Sequence, residues 1–382
     1  MTLILSVALA ITLLTSLVLA TRWRNTVCRG EIPASHFTFM AILFTSGLDV
    51  GLIMFPLVDF QTYATDATYA FSNPLAIEFG FWGFLVWGFY FLTTFYFCIM
   101  EPKLKLFDIP AVYITNNLVI VTTCAFTGYL FLQYLPDYVA GISDPARYGL
   151  VALVVLLAAA SSTHIRFVRA LSVSSTWLFF ALVAAIWAAS GMGFRGLGES
   201  LVRLADYFPN IHRFVTPISD YHQFYLYWWF AWSIMIGQFV SRFVGGLKAW
   251  QLLLALLVVP SIPIAIWFSV LYYHFASGLE VGDYQRLAML FVGVVFVINS
   301  LDSLIRLYTQ NTGFTPAKMG SPLYVAGNWL LLMALILLFR FTPLEIEWIG
   351  LVVVALYAIL YYLVFNRRRA LTTSGDSLLN SK

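Results

Sequence analysis

The sequence predicts an all-α polytopic membrane protein of about 11 transmembrane helices, each an apolar run of roughly 20 residues, long enough to cross a hydrocarbon core of about 30 Å. Of the 382 residues, 61% are hydrophobic and only 10% are charged. A soluble domain carries about 25% charged residues and about 45–50% apolar ones. A larger core cannot absorb the difference, because a water-facing surface still needs its charges. Soluble enzymes, nucleic-acid binders and disordered scaffolds are excluded on these grounds.

The first apolar run, 2–20, ends in Val18, Leu19 and Ala20, as a signal peptide could. It has no basic residue ahead of it, and Arg22 and Arg24 follow directly. That pattern favours a retained helix with its N-terminus outside. Ten further spans are expected at 36–60, 75–100, 109–135, 147–165, 172–192, 222–244, 249–274, 285–308, 321–341 and 346–365. An odd number of crossings puts the C-terminus in the cytoplasm of an inner (plasma) membrane. The basic residues agree: fifteen, including Arg22, Arg24, Lys103, Lys105, Arg166, Arg169, Arg242 and Arg367, fall on the cytoplasmic side. Six (Arg147, Arg195, Arg203, Arg213, Arg286 and Arg340) fall outside, which is the positive-inside bias. Between the sixth and seventh spans, 199–215 reads as an amphipathic helix on the external surface, with Leu201, Leu204, Ala205 and Phe208 near one face. Cys28, Cys98 and Cys124 have no pairing or metal-ligand spacing, and the five histidines form no cluster.

An ionisable group at bilayer depth needs a reason, because it costs about 2.5–3.5 kcal/mol on insertion scales. Asp49 is the clearest case. It lies mid-span between Gly47 and Gly51, and glycine weakens a helix by about 1 kcal/mol relative to alanine. Such a helix can unwind and offer carbonyl oxygens to a ligand, provided that the unwound backbone lines a cavity or is buried. The same residues also suit a close-packing face with Asp49 bonded to a neighbouring hydroxyl. Asp302, with Asn299, Ser300 and Ser303, forms a second polar cluster suited to a hard cation, and Asp302 with Arg306 is an i, i+4 pair. Asp59 is expected at the external end of its helix, where exposure costs little.

Two segments concentrate the aromatics. Trp228, Trp229 and Trp232 fall within five residues, and Trp82, Trp87 and Tyr90 fall within an arc of about 140° on a helical wheel. Rings so arranged bind quaternary ammonium groups by cation–π attraction. They also suit an aromatic belt at the membrane interface.

At these residues the chain resembles the betaine/carnitine/choline transporter family, as a short divergent member. Phe224, Tyr225, Trp228, Trp229, Trp232, Ser233, Gly237, Phe239 and Arg242 match the family's hallmark helix. Trp82, Gly83, Trp87 and Tyr90 match a second motif, and Gly47, Gly51 and Leu52 match its glycine stretch. Ser300, Asp302 and Ser303 match a fourth motif, and Pro260, Trp267 and Phe268 a fifth, all in family order. The resemblance implies a LeuT-type five-plus-five inverted repeat. An accessory helix and loop (1–35) would precede repeats at 36–192 and 222–366, with a junction at 193–221 and a cytoplasmic tail at 367–382.

It implies a secondary transporter that imports a small quaternary or methylated ammonium solute of choline, betaine or carnitine type, coupled to Na+ or H+. Trp82, Trp87, Tyr90, Trp228, Trp229 and Trp232 would form the solute cage, beside Gly47, Asp49 and Gly51. A Na+ site would use Thr45, Leu48, Phe296, Asn299 and Ser300. No other cofactor and no nucleic acid is implied, and a homotrimer in the lipid bilayer is the expected assembly. The chain departs from the family's motifs at several positions: Asp49 replaces a glycine, Ile234 a proline, Met235 an aromatic and Asn299 a threonine. A channel-like or non-transporting sensor that keeps the cage is the competing class. An enzyme is disfavoured, because no catalytic constellation lies on one membrane face.

Asp49 could neutralise a cation that has no carboxylate of its own, or could carry a proton. Asp49→Asn and Asp49→Gly are therefore expected to lower uptake of choline relative to betaine, or to flatten its pH dependence. Unchanged selectivity and pH dependence in a vesicle uptake assay would remove both roles.

Overall fold

The computed structural model describes residues 2–47 and 50–367, so Leu48, Asp49 and the tail from 368 lie outside the described residues. Among the described residues, nine helices are long and apolar enough to cross a membrane. They are Thr2–Arg22, Pro74–Leu104, Pro110–Tyr138, Asp144–Ser161, Ile165–Ser190, Ala249–Ala276, Asp283–Thr312, Ser321–Phe341 and Ile346–Asn366. Two more of the expected spans have a different character. The second is divided into His36–Ser46, Val50–Met54 and Pro56–Thr65. The seventh, Asp220–Ser241, is one helix, rich in Trp and Tyr, whose polar N–H and O–H groups hold down its mean hydropathy.

The third and eighth spans, expected to be continuous, are each interrupted. Helix Pro74–Trp82 stops at Gly83, whose backbone is extended, and helix resumes at Trp87. In the eighth span, Ala249–Leu257 and Ser261–Ala276 flank Pro260, which has no N–H to continue the ladder. The two interruptions meet: the backbone N–H of Phe84 donates to Ser261 Oγ at 2.8 Å. An orphaned donor in one break is thus satisfied by the other, as the absence of water in a membrane requires.

The helices pack in reciprocal pairs. His36–Ser46 lies on Ile165–Ser190, and five spans later Asp220–Ser241 lies on Ile346–Asn366. Pro110–Tyr138 packs on Ser321–Phe341, as Asp283–Thr312 packs on Asp144–Ser161. Trp87–Phe95 packs on Asp220–Ser241, as Ser261–Ala276 packs on Pro56–Thr65. Exchange of partners at a five-span offset is the contact pattern of a five-plus-five repeat. Because five is odd, the second set enters from the opposite face. A short antiparallel pair, Val27–Arg29 with Gly245–Lys248, ties the loop after the first span to the loop after the seventh. The sequence analysis did not anticipate it.

Other expectations need correction. The fifth and sixth spans meet at residues 162–164, since Asp144–Ser161 ends and Ile165–Ser190 begins earlier than expected. The junction helix is Phe194–Leu204, followed by tight turns at Ala205–Tyr207 and Ile211–Val215. It buries Ser200, Leu204, Tyr207 and Phe214, while Phe208 is exposed. The change from α-helix to tighter turns rotates Tyr207 inward, a switch that a single helical wheel cannot represent.

Asp302 and Arg306 do not form the expected i, i+4 ion pair. Asp302 is fully buried and accepts from Ser161 Oγ at 2.6 Å. Arg306 Nη1 donates to the Ser162 carbonyl at 3.1 Å. Carbonyls at a helix C-terminus lack intrahelical donors, so they take the guanidinium in place of the carboxylate. Asp59 is also buried, at 7% exposure, because its helix runs on to Thr65 and Tyr221 of the seventh span packs on it, its hydroxyl donating to the carboxylate at 3.0 Å.

The third and seventh spans approach most closely at Gly237. A Cβ there would stand 2.1 Å from Thr93 Oγ1, whose hydroxyl donates to the Ser233 carbonyl at 2.8 Å. Gly237→Ala is expected to destabilise the protein by about 1–3 kcal/mol, the usual cost of overpacking. Gly327→Ala, where nothing lies within 4 Å of the new methyl, serves as the control. Thermal denaturation of the detergent-purified chain compares them.

Candidate functional site

The site is built where the second span breaks. His36–Ser46 ends at Gly47 and helix begins again at Val50. Both glycines face indoles of the third span. A Cβ on Gly51 would lie 2.5 Å from the Trp82 ring, and one on Gly47 would lie 3.4 Å from the Trp87 ring and 2.8 Å from the Leu43 carbonyl. The absent side chains let two tryptophans lie against the backbone at the break. Tyr90 reinforces the contact, since its hydroxyl donates to the Gly47 carbonyl at 3.4 Å.

Trp82 and Trp87 do not share one helical face, as the wheel supposed, because Gly83 interrupts the helix between them. They meet by another route: Trp87 Nε1 donates to the Trp82 carbonyl at 3.1 Å. That bond satisfies a carbonyl freed by the break and fixes the indole. The seventh span completes the group. The Trp229 ring stands 5.5 Å from Trp82 and 6.1 Å from Tyr90, and Tyr90 stands 5.2 Å from Trp87, all edge to face. Trp229 Nε1 is anchored on the Phe81 carbonyl at 2.8 Å.

Trp228 stacks beside Trp229 at 5.7 Å and lies 5.6 Å from Trp82. Trp232 joins the group only through Trp228, at 6.5 Å. All six predicted cage residues are therefore contiguous and buried, with Trp82 and Trp229 at the centre and Trp232 at the margin. Spacings near 5–6 Å are those of aromatic side chains in direct contact, so the rings close on one another here. The indole N–H groups of Trp82, Trp228 and Trp232 are buried without hydrogen-bond partners, and donors of this kind usually find one.

Of the predicted Na+ ligands, Thr45 and Ser300 come together: Ser300 Oγ donates to the Thr45 carbonyl at 3.3 Å. Asn299 is fully buried beside them. Its Oδ1 accepts from Ser172 Oγ at 3.0 Å, while its amide nitrogen has no partner. Phe296 contributes its ring to Phe44, 6.1 Å away, and is buried. Leu48 and Asp49 lie outside the described residues. These residues pack between His36–Ser46 and Asp283–Thr312, next to the Ser46 to Ser303 hydroxyl contact at 3.0 Å.

Two polar features went unnoticed in the sequence. Below the aromatic group, Gln238 accepts from Asn116 at 3.1 Å, and Asn311 donates to Asn117 at 3.1 Å. These amides line a cavity of about 420 Å³ that also holds Glu101 and Arg242, on the face where the basic residues gather. Four amides on three different spans leave no local motif, so only their convergence reveals them. The other feature is Glu78, fully buried one turn ahead of Trp82. Its signal was present: an acid inside the apolar run Leu75 to Trp82 meets the criterion that singled out Asp49.

No family model matches the chain. Over 281 residues it is 24% identical to a glycine betaine transporter of Bacillus subtilis, an alignment covering 61% of this chain and 54% of that protein. Over 134 residues it is 28% identical to glycine betaine transporter 1 of Vibrio parahaemolyticus, covering 31% of this chain and 24% of the relative. A Na+-coupled sialic acid symporter, solved in a substrate-bound outward-open state, aligns with 92% of this chain and 84% of its own. That alignment has 14% identity and a TM-score of 0.48. The chain spans about half or less of the length of these curated relatives. By sequence the chain is similar, at low identity, to glycine betaine transporters.

Proposed function

We propose that the chain is an alternating-access transporter that imports a small quaternary or methylated ammonium solute, driven by a cation gradient. The observation that carries this is the contiguous, buried aromatic group where the third and seventh spans meet the break in the second. A quaternary ammonium has no N–H to hydrogen-bond, so ring faces are its natural partners, each worth about 0.5–2 kcal/mol depending on desolvation. The relatives' glycine betaine transport points to the same solute class. In this reading the halves 36–192 and 222–366 move against each other about the broken span. The rings part to admit the solute, and the amide-lined cavity near Gln238 is the path towards the cytoplasm.

The unpartnered N–H groups of Trp228 and Trp232 sharpen the solute class. They sit one turn apart on the seventh span and could receive a carboxylate, which betaine and carnitine have and choline lacks. The Thr45 carbonyl, Ser300 Oγ and Asn299 Oδ1 are hard oxygens suited to Na+, which would travel as cargo with the solute. These are the three oxygens that the described residues bring together, and the Asn299 amide nitrogen beside them is a donor that repels a cation.

Reconstituted into proteoliposomes, the chain is expected to accumulate betaine or carnitine under an inward Na+ or H+ gradient. Dissipation of the gradient without accumulation would overturn the transporter reading in favour of a channel. Trp229→Ala should weaken binding of every quaternary solute by about tenfold, the equivalent of about 1.4 kcal/mol. The double variant Trp228→Phe, Trp232→Phe should weaken betaine and carnitine while sparing choline, because it removes N–H donors and keeps aromatic faces. Calorimetry on the purified protein reads both.

A further inference from the structure

Between the external junction and the aromatic group lie two acids that solute binding does not use. Asp59 is in Pro56–Thr65, the outer part of the broken span, and Glu78 is in Pro74–Trp82. These two helices pack together. Asp59 accepts one hydrogen bond, from the Tyr221 hydroxyl at 3.0 Å. Both oxygens of Glu78 are without a partner. The Tyr63 hydroxyl and the Trp82 N–H turn towards Glu78. Each is more than nine-tenths buried, and neither completes a hydrogen bond.

The neighbouring spans contribute groups that leave this charge uncompensated. In the junction segments packed on Pro74–Trp82, Arg213 lies over the Phe71 ring at 4.8 Å while Tyr207 packs on Phe79. Tyr63 and Tyr69 face the pair from the same connection, and Tyr134 and Tyr138, with the further acid Asp137, face it from the fourth span. Tyr221 and Tyr225 face it from the seventh span. His222 lies behind the Phe81 ring, stacked on it at 4.5 Å, and its Nδ1 accepts from the Ile218 N–H at 3.1 Å. On the eighth span, Tyr272 packs on Phe60, while His274 turns towards Ile186 of the sixth. Among the described residues no Lys, Arg or His forms an ion pair with either acid; the ion pairs that form are Arg147 with Asp144 and Arg195 with Glu199.

Two neighbouring carboxylates in a low-dielectric site cannot both keep their charge without a compensating cation. We propose that Asp59 and Glu78 form a proton-exchange site at the external side of the aromatic group. A Glu78 oxygen takes a proton from external hydronium, forming one O–H bond and leaving water, and the proton is shared towards Asp59. Movement of the outer segment carrying Asp59 away from the third span relieves the repulsion, and the proton returns to water. Glu78 is the i−4 neighbour of Trp82, whose indole lies against Gly51 of Val50–Met54, the helix that leads directly into the moving segment Pro56–Thr65. Proton occupancy and the position of the cage wall are thereby linked. The chemistry of the pair is independent of any solute; its use in a cycle rests on the transporter reading.

The test has two arms on the full chain. Infrared difference spectra of the protein in liposomes, recorded across a pH step without solute, should show a protonated-carboxyl band that Glu78→Gln removes or shifts. Asp59→Asn should move the same band, and Glu78→Asp should retain one. A band unchanged in all three variants overturns the site, as does a response to Na+ at fixed pH with none to pH itself. In the second arm, Glu78→Gln should keep solute counterflow and lose the stimulation of uptake by an inward proton gradient. Stimulation that persists at the wild-type level overturns the coupling role. Absence of any solute transport in the wild type would count against the transporter reading and leave the infrared result to decide the site.

Discussion

Much of this structure depends on one contact, the lie of the Trp82 and Trp87 indoles against the backbone of the broken second span. A helix that stops in a bilayer frees carbonyl and N–H groups that no water can satisfy. Here the break is enclosed by side chains that also satisfy it: Tyr90 donates to the Gly47 carbonyl, and Trp267 Nε1 donates to the Leu52 carbonyl at 2.9 Å. Glycine at 51 is required because a side chain would occupy the space of the Trp82 indole, and a Cβ at 47 would crowd the Leu43 carbonyl at 2.8 Å. The aromatic group and the break are therefore a single construction. Each needs the other.

The third and eighth spans extend the same economy. Both are interrupted, and Phe84 and Ser261 close the two gaps against each other. Because these spans hold corresponding places in the two halves, the repeated pairing of helices brings matching discontinuities together near the centre. Two parts of a scaffold joined at such points can shift relative to one another without exposing a long row of unsatisfied backbone. That property suits the alternating access proposed for the chain.

Charge is handled in two distinct ways. Near the face where basic residues gather, Asp302 takes a serine hydroxyl and Arg306 takes carbonyls at a helix end, so each is neutralised or solvated locally by groups of the neighbouring helix. Near the other face, Asp59 and Glu78 sit among tyrosines that soften the environment without supplying positive charge. The first arrangement holds helices in register, since moving either helix breaks the bonds. The second is sensitive to the distance between two acids, and so to the movement of the segment that carries one of them.

The sequence by itself determined the membrane setting, the positions of most spans and the identity of the aromatic group, because these follow from composition, run length and local clustering. It also pointed to an interruption near Gly47, one of two mid-span glycines that equally suited a close-packing face, and Gly51 serves that second use against Trp82. The interruptions at Gly83 and Pro260, the rotation of Tyr207 inward, the partners of Asp302 and Arg306 and the amide cavity near Gln238 were decided by tertiary structure. Each arises from groups far apart in the chain, and periodicity assumes an unbroken helix. The burial of Asp59 shows the reason in one residue. Its position near an expected helix end promised exposure, and only the continuation of that helix to Thr65 and the packing of Tyr221 from the seventh span removed it from water. Glu78 stands between the two cases, legible as an acid within an apolar run, but meaningful only once Asp59 is beside it.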